Sequence, residues 1–175
     1  MEKIIVYGSE YGATKRYAEA LSEKTGIKAF SYTQINSLSS YNTIIYLGGL
    51  YAGGVLGLAK TVKRFSINPN QTLIIVTVGL ADPKVQTNAN NIRYAISKQI
   101  PQAVYDSAQI FHIRGGIDYQ KLHFSHKAMM KLLYEKLKKL PPEQRDEEAR
   151  ALIATYNQKV DFVNFESLEE IIAVL

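Results

Sequence analysis

Short apolar runs rich in β-branched residues alternate along this chain with longer amphipathic segments. Four of these runs are clear and a fifth is weaker, and each is flanked by glycine or polar residues. The clear runs are Lys3 to Gly8, Thr43 to Gly48, Thr72 to Gly79 and Gln109 to Arg114, and the weaker run is Ile27 to Tyr32. Near-continuous hydrophobicity, as in Leu73-Ile74-Ile75-Val76, is typical of a strand that is covered on both faces. The runs therefore predict the strands of a parallel sheet.

Helical periodicity occupies most of the segments between these runs, at Thr14 to Lys24, Leu56 to Phe65 and Asn88 to Gln99. The alternation of strand and helix favours right-handed βαβ units. It predicts an α/β fold with a doubly wound, five-stranded parallel sheet and helices on both faces. In such sheets, ligands bind outside the carboxyl ends of the strands.

The chain continues beyond the fifth predicted strand with a basic helical stretch, Pro141-Pro142, a charged helical stretch from Glu143 to Tyr156 and an extended piece near residues 160–165. A last helix follows, for which Ser167 is the predicted N-cap. We interpret residues 115–158 as a helical insertion before the last helix of a single domain that spans residues 1–175.

The loop after the first strand has the composition of an anion site. Its residues are Ser9, Glu10, Tyr11, Gly12, Ala13 and Thr14. The free amides at the start of the following helix and the positive end of its dipole point at this loop. The hydroxyls of Ser9 and Thr14 can bond phosphate oxygens there. The motifs of P-loops and dinucleotide folds are missing. The alternative is an ordinary turn that Ser9 caps.

This loop resembles the phosphate loop of the flavodoxin family, Ser/Thr-x-Thr-Gly-x-Thr, at Ser9, Gly12 and Thr14, although Tyr11 stands where that family often has threonine. A glycine-rich loop with one aromatic, Tyr51, follows the third strand, as in flavodoxins. Residues 1–114 therefore resemble that family. A response-regulator receiver is excluded, because the acidic pair, the aspartate and the lysine that it requires are not at their places.

The resemblance implies that FMN is the cofactor, with its phosphate in the first loop and Tyr51 stacked on the isoalloxazine ring. It adds two further loops to the predicted binding residues: Gly49, Leu50, Tyr51, Ala52 and Gly53, and Gly79, Leu80, Ala81 and Asp82. The loop after the fourth strand has no aromatic residue. We therefore expect one face or edge of the flavin to be open, unless Tyr119 or another residue covers it.

The second half resembles the flavodoxin-type, menaquinone-dependent protoporphyrinogen IX dehydrogenases at residues 115–119, Phe124, residues 126–132 and residues 167–170. This resemblance implies a flavin-mediated oxidation with a quinone as acceptor, without assigning catalytic residues. Two alternatives stay open: a non-enzymatic electron carrier and a flavin-free binding module.

Composition narrows the chemistry. The chain has no cysteine, which excludes disulfides and thiolate sites, and no His or carboxylate cluster has metal-ligand spacing. Because the N-terminus leads directly into a strand, we expect a cytoplasmic protein. Of the histidines, His112 is expected to be structural. His123 and His126 could shuttle protons, but the expectation for both is a position at the protein surface.

The net charge of +5 is concentrated between residues 121 and 140, which hold six lysines and one glutamate beside an apolar stripe. Such a helix can bury its apolar face in the core and leave its charged face in solvent. Alternatively, it can form a docking surface for an anionic membrane or an acidic redox partner. Nucleic-acid binding is not expected, because no recognition motif accompanies the charge.

Overall fold

Five parallel strands form the central sheet of the computed structural model, which describes residues 2–51 and 53–175. The strands of the sheet are β1 (Lys3–Gly8), β2 (Ala29–Ser31), β3 (Thr43–Tyr51), β4 (Gly54–Val55), β5 (Thr72–Gly79) and β6 (Gln109–Arg114). The parallel strands lie in the order β2–β1–β3–β5–β6, and β4 pairs antiparallel with the end of β3. The predicted doubly wound sheet is confirmed.

Helices pack on both faces of this sheet. The helices are α1 (Ala13–Thr25), α2 (Leu58–Phe65), α3 (Gln86–Gln99), α4 (Gln102–Ser107), α5 (Phe124–Lys138), α6 (Glu147–Thr155) and α7 (Glu169–Ile172). Helices α1 and α7 enclose one apolar cluster against the sheet, and α2, α3 and α4 enclose another on the opposite face. Each layer thus buries the apolar stripe of its helices.

The central strands β3 and β5 supply side chains to both clusters. Residues 44–47 and 73–78 are buried, and consecutive side chains point to opposite faces because strand side chains alternate. Ile45 and Ile74 therefore pack under α1, whereas Ile44 and Leu73 pack under α2 and α3. Burial of each such side chain contributes about 1.5–3 kcal/mol relative to exposure, which explains the continuous apolar runs in the sequence.

The insertion forms a separate layer, which we call the cap and define as residues 116–161. Strand β7 (Gly116–Asp118) pairs antiparallel with β8 (Lys159–Asp161), and α5 and α6 lie between them in the chain. The cap has its own apolar cluster, which includes Ile117, Met130 and Leu152. Because it begins directly after β6, the cap lies at the carboxyl edge of the parallel strands.

Buried Tyr17 of α1 joins the two chain segments that flank the cap. Its hydroxyl donates to the Arg114 carbonyl at 2.7 Å and accepts from the Asn164 backbone amide at 2.9 Å. The Phe162 amide also donates to the Gly115 carbonyl at 2.9 Å. These hydrogen bonds therefore hold together the chain segments before and after the cap, at residues 114–115 and 162–164.

Two predicted element boundaries in the last third are wrong. Helix α6 begins only at Glu147, because the Asp146 side chain caps it by accepting from the Ala149 amide at 2.8 Å. Ser167 does not cap the last helix: α7 follows a 3-10 turn (Phe165–Leu168), which Asn164 caps by accepting from the Glu166 amide at 3.0 Å, and the N-cap position of α7 itself is Leu168, without a side-chain hydrogen bond. Ser167 lies inside the 3-10 turn that Asn164 starts, where its hydroxyl donates to the Asn164 carbonyl.

The glycine-rich segment after the third predicted strand is less of a loop than expected. Strand β3 continues to Tyr51, and its end forms a hairpin with β4 in which Leu50 pairs with Val55. A Cβ at Gly48 would lie 2.1 Å from Val55 Cγ1, so glycine is needed for this hairpin to pack. Ala52 lies outside the described residues.

His112 in β6 is expected to make the stability of the fold depend on pH. Its Nδ1 lies 2.7 Å from the Thr77 hydroxyl, whereas its buried Nε2 has no hydrogen-bond partner among the described residues. Burial, and secondarily Arg93, lowers the pKa of His112 to about 4. The unfolded chain, with a pKa of about 6.5 for histidine, therefore binds more protons between these two values.

We expect the free energy of unfolding to fall by about 1 kcal/mol from pH 7 to pH 5, after allowance for solvent screening of a partly exposed ring. Denaturant unfolding at several pH values measures this slope. The His112→Gln variant keeps a polar partner for Thr77 but cannot be protonated, so its slope should be flatter. Equal slopes in the two proteins would rule out His112 as the cause.

Candidate functional site

The loop between β1 and α1 presents free amides at the start of a helix. The Ser9 hydroxyl oxygen accepts from the amides of Gly12 and Lys15, each at 3.2 Å. The first hydrogen bond of α1 runs from the Arg16 amide to the Gly12 carbonyl, so the Ala13 and Thr14 amides precede it. These amides lie where an anion can accept from them.

Two glycines shape this part of the site, Gly12 through its backbone conformation and Gly49 through close packing. Gly12 has φ of +93°, a left-handed conformation that favours glycine, and a Cβ there would meet no atom within 4 Å. A Cβ at Gly49 would lie 3.2 Å from the hydroxyl oxygen of buried Thr14. Gly12 thus allows the backbone to turn into α1, and Gly49 leaves room around the Thr14 hydroxyl.

A cavity of about 350 Å³ lies between this loop, the ends of β3 and β5, and the cap. Its size is in the range of small-molecule and cofactor sites. Eleven of the residues predicted from the sequence line it: Ser9, Glu10, Tyr11, Ala13, Thr14, Gly49, Leu50, Tyr51, Gly79, Leu80 and Ala81. The fold therefore brings three loops, far apart in the chain, to one cavity.

Three other predicted residues are not part of the cavity wall. Gly12 shapes the helix terminus, and Gly53 is exposed in the hairpin turn. The Asp82 side chain accepts from the Lys84 amide at 2.9 Å, and its carbonyl accepts from the Asn88 side chain at 3.1 Å. Asp82 therefore fixes the start of α3, and it is Asn88 that lines the cavity.

Sequence reasoning missed the part of the wall that the cap provides. Apart from Ile117, the cap side chains that line the cavity come from α5 and α6: Met129, Met130, Leu133, Glu148 and Leu152. Gly115-Gly116, directly after β6, was a visible signal for a ligand-facing loop. No sequence signal indicated that these two helices fold back over the strand ends.

His126 on α5 packs against two of the predicted loops, whereas a surface position was expected. Its Nδ1 lies 3.3 Å from the Glu10 carboxylate, at ion-pair distance but without hydrogen-bond alignment. Its ring lies edge-on to the rings of Tyr11 and Tyr51, at centroid distances of 6.1 and 6.0 Å. Helix α5 therefore contacts the loop after β1 and the end of β3 together.

Two buried tyrosine hydroxyls near the cavity lack a hydrogen-bond partner in the described part of the chain, those of Tyr11 and Tyr119. Burial is the main reason that the pKa of each is raised to about 12, so both are neutral donors at physiological pH. Tyr11 lines the cavity. Tyr119 instead packs edge-on against Tyr156 inside the cap, at a ring-centroid distance of 5.4 Å, and is not part of the cavity wall.

Glu148 is a carboxylate that the cap places at an otherwise largely apolar part of the wall. The residue as a whole is exposed to solvent, but neighbouring atoms partly desolvate its carboxyl group. This desolvation, with a smaller contribution from Asp146, raises the pKa of the Glu148 carboxyl.

Within residues 2–51 and 53–175, no group of three or more His, Cys, Asp or Glu side chains is arranged to hold a metal ion. The helices in these residues are all too short or too polar to cross a membrane.

Comparison with solved structures finds flavoproteins at low sequence identity. A flavoprotein in complex with FMN from Lactobacillus acidophilus is 11% identical, with a TM-score of 0.44 over 65% of this chain and 91% of that one. A Fusobacterium nucleatum flavodoxin variant bound to flavin mononucleotide is 14% identical, with a TM-score of 0.44 over 71% of this chain and 74% of that one. A Pseudomonas aeruginosa flavodoxin variant is 15% identical, with a TM-score of 0.40 over 87% and 99%.

Among curated proteins, none shows significant sequence similarity to this chain. The family model described as the flavodoxin domain, in contrast, matches residues 4–143. This match runs from the first residues of β1 through α5, and so includes all three loops at the cavity and the first helix of the cap. The chain therefore belongs to the flavodoxin domain family.

Proposed function

We propose that this protein binds FMN in the cavity at the carboxyl edge of the sheet. The observation that carries the proposal is the junction of two features: a helix terminus with free amides and hydroxyls, and a cavity with largely apolar walls directly beside it. A phosphate suits the first feature and a planar aromatic ring suits the second. FMN combines both in one molecule.

The roles of the residues follow from their chemistry. Thr14 and the Ala13 and Thr14 amides bind the phosphate, and Tyr51 contacts the ring. Tyr11 has a buried hydroxyl without a partner in the described residues, and this donor is available to a polar atom of the ligand. FMN, when bound, supplies redox chemistry that the side chains of this cysteine-free chain do not offer.

We further propose that the protein is an oxidoreductase of the protoporphyrinogen IX dehydrogenase type, with a quinone as electron acceptor. A cap that covers the cavity with apolar side chains excludes water from the reacting centre, which favours catalysis. An electron carrier needs only an exposed flavin edge. The similarity of residues 115–119, 126–132 and 167–170 to that enzyme type supports the same assignment.

This activity is tested anaerobically with protoporphyrinogen IX, a water-soluble quinone and the FMN-loaded protein. We expect porphyrin fluorescence to develop with the loaded protein, to be lost when the flavin is stripped and to return when FMN is added. A protein that holds FMN and exchanges electrons with a reductase, but leaves the porphyrinogen unchanged, would instead be an electron carrier.

The outer surface of α5 and its flanking residues supports peripheral attachment to an anionic membrane. Six lysines on this surface are exposed: Lys121, Lys127, Lys131, Lys136, Lys138 and Lys139. Phe124, at the start of α5, is 88% exposed and adds an apolar side chain to this basic surface. A lipid-soluble quinone would then be within reach of the cavity beneath α5.

Substitution of Lys127, Lys131 and Lys138 by glutamine should reduce binding to anionic vesicles at low salt, because each basic residue near such a surface contributes about 1 kcal/mol. Flotation with anionic and neutral vesicles measures the effect. A matched variant with glutamine at Lys28, Lys63 and Lys84 loses the same charge outside α5 and should bind as the original protein does. If the original protein ignores anionic vesicles at low salt, the attachment proposal is wrong.

A further inference from the structure

The two helices of the cap contribute four apolar side chains to the cavity wall: Met129, Met130 and Leu133 from α5, and Leu152 from α6. Met130 and Leu152 are each 8% exposed and belong to the apolar cluster of the cap. Packing within the cap therefore fixes the position of this part of the wall. The residues lie outside the three loops that the flavodoxin resemblance assigns to the flavin.

The loop after β5 cannot supply an aromatic wall, since it presents Leu80 and Ala81 to the cavity. Leu80 packs against the apolar cluster of the cap. The Arg114 guanidinium also donates two hydrogen bonds to the Leu80 carbonyl, at 3.1 and 2.7 Å. This loop is therefore held in place by Arg114 at the end of β6 and by the apolar cluster of the cap.

Helix α5 touches the other two loops as well. His126 lies 3.3 Å from the Glu10 carboxylate, and the Met129 sulfur lies 4.0 Å from the Tyr51 hydroxyl. The cap thus contacts all three loops that line the cavity. A ligand that orders these loops will also act on α5.

We propose that α5 and α6 form a wall of the flavin pocket in place of the aromatic residue that the loop after β5 lacks, so that FMN binding and docking of the cap are one coupled equilibrium. This inference rests on the proposed binding of FMN. Thioether and aliphatic side chains suit this role, because they pack against the face or edge of an aromatic ring. The cap is then part of the cofactor site and not an appended layer.

Two adjacent leucines on α5 provide a matched test. Leu133 lines the cavity and is 38% exposed, whereas Leu132 is 74% exposed and is not part of the wall. We expect Leu133→Ala to weaken FMN binding about tenfold, because the substitution removes three carbon atoms from the cavity wall that would pack against the ring. Leu132→Ala should leave the affinity unchanged, and Leu133→Met should restore most of it.

Hydrogen exchange of the original protein provides the second readout and does not depend on any variant. Added FMN should increase the protection of amides in α5 and α6 as well as in the three loops, since a ligand stabilises the segments that its bound state orders. Unchanged FMN affinity in Leu133→Ala, with protection confined to the three loops, would overturn the inference while leaving FMN binding intact. If the original protein binds no FMN at all, the proposed function fails and this inference with it.

Discussion

Replacing Thr14 with valine is expected to weaken FMN binding by at least tenfold while leaving riboflavin binding unchanged. Valine keeps the branched shape of this buried side chain and replaces the hydroxyl with a methyl group, which cannot form a hydrogen bond. A hydrogen bond to a charged group contributes about 1.5–3 kcal/mol, which corresponds to roughly a 10- to 150-fold change in affinity. Because riboflavin has no phosphate, the Thr14 hydroxyl forms no such hydrogen bond with it, and removal of the hydroxyl should not change the affinity for riboflavin.

Fluorescence titration with both flavins measures this difference in each protein. Thr61→Val serves as the control, since Thr61 is equally buried but lies in α2, where its hydroxyl donates to the Gly57 carbonyl. The original protein should also bind riboflavin far more weakly than FMN. An equal loss of affinity for the two flavins in Thr14→Val would show that Thr14 does not bind the phosphate.

Replacing Tyr51 with alanine is expected to weaken FMN binding by roughly tenfold or more and to raise the fluorescence of the remaining bound flavin. An aromatic pair contributes about 0.5–1.5 kcal/mol beyond the burial of area, and the truncated side chain also loses that burial. Tyr51→Phe keeps the ring and loses only the hydroxyl near Met129, so it should resemble the original protein.

Tyr94→Ala controls for the loss of any tyrosine, because Tyr94 is 66% exposed on α3 and is not part of the cavity wall. Its FMN affinity and flavin fluorescence should not change. If Tyr51→Ala behaves like this control, Tyr51 packs only against α5, through His126 and Met129, and does not contact the flavin.

The sheet and the residues at its edge were predictable because local patterns determine them. The buried strands β3 and β5 are unbroken apolar runs, and the anion loop combines hydroxyls, a glycine and a helix start within six residues. The right-handed crossovers of βαβ units then limit the possible orders of the strands to a few. These signals are short in range, so a single sequence contains them in full.

The cap wall was not predictable, since it depends on how α5 and α6 pack after the sheet has formed. The apolar stripe of α5 predicts that one face is buried but does not identify what buries it. His126 illustrates the same limit, because its contacts with Glu10 and Tyr51 join residues more than 70 positions apart in the chain. The lack of an aromatic after β5 indicated a gap at the site, but not that Leu133 and Leu152 line it.

The visible absorption spectrum of the purified protein, with the released cofactor identified by chromatography after denaturation, tests the central proposal most directly. We expect the bands of an oxidised flavin and the release of FMN, and protein stripped of its cofactor should regain the bands when FMN is added. A colourless protein that also binds no added FMN would contradict the proposal and would favour the flavin-free binding module.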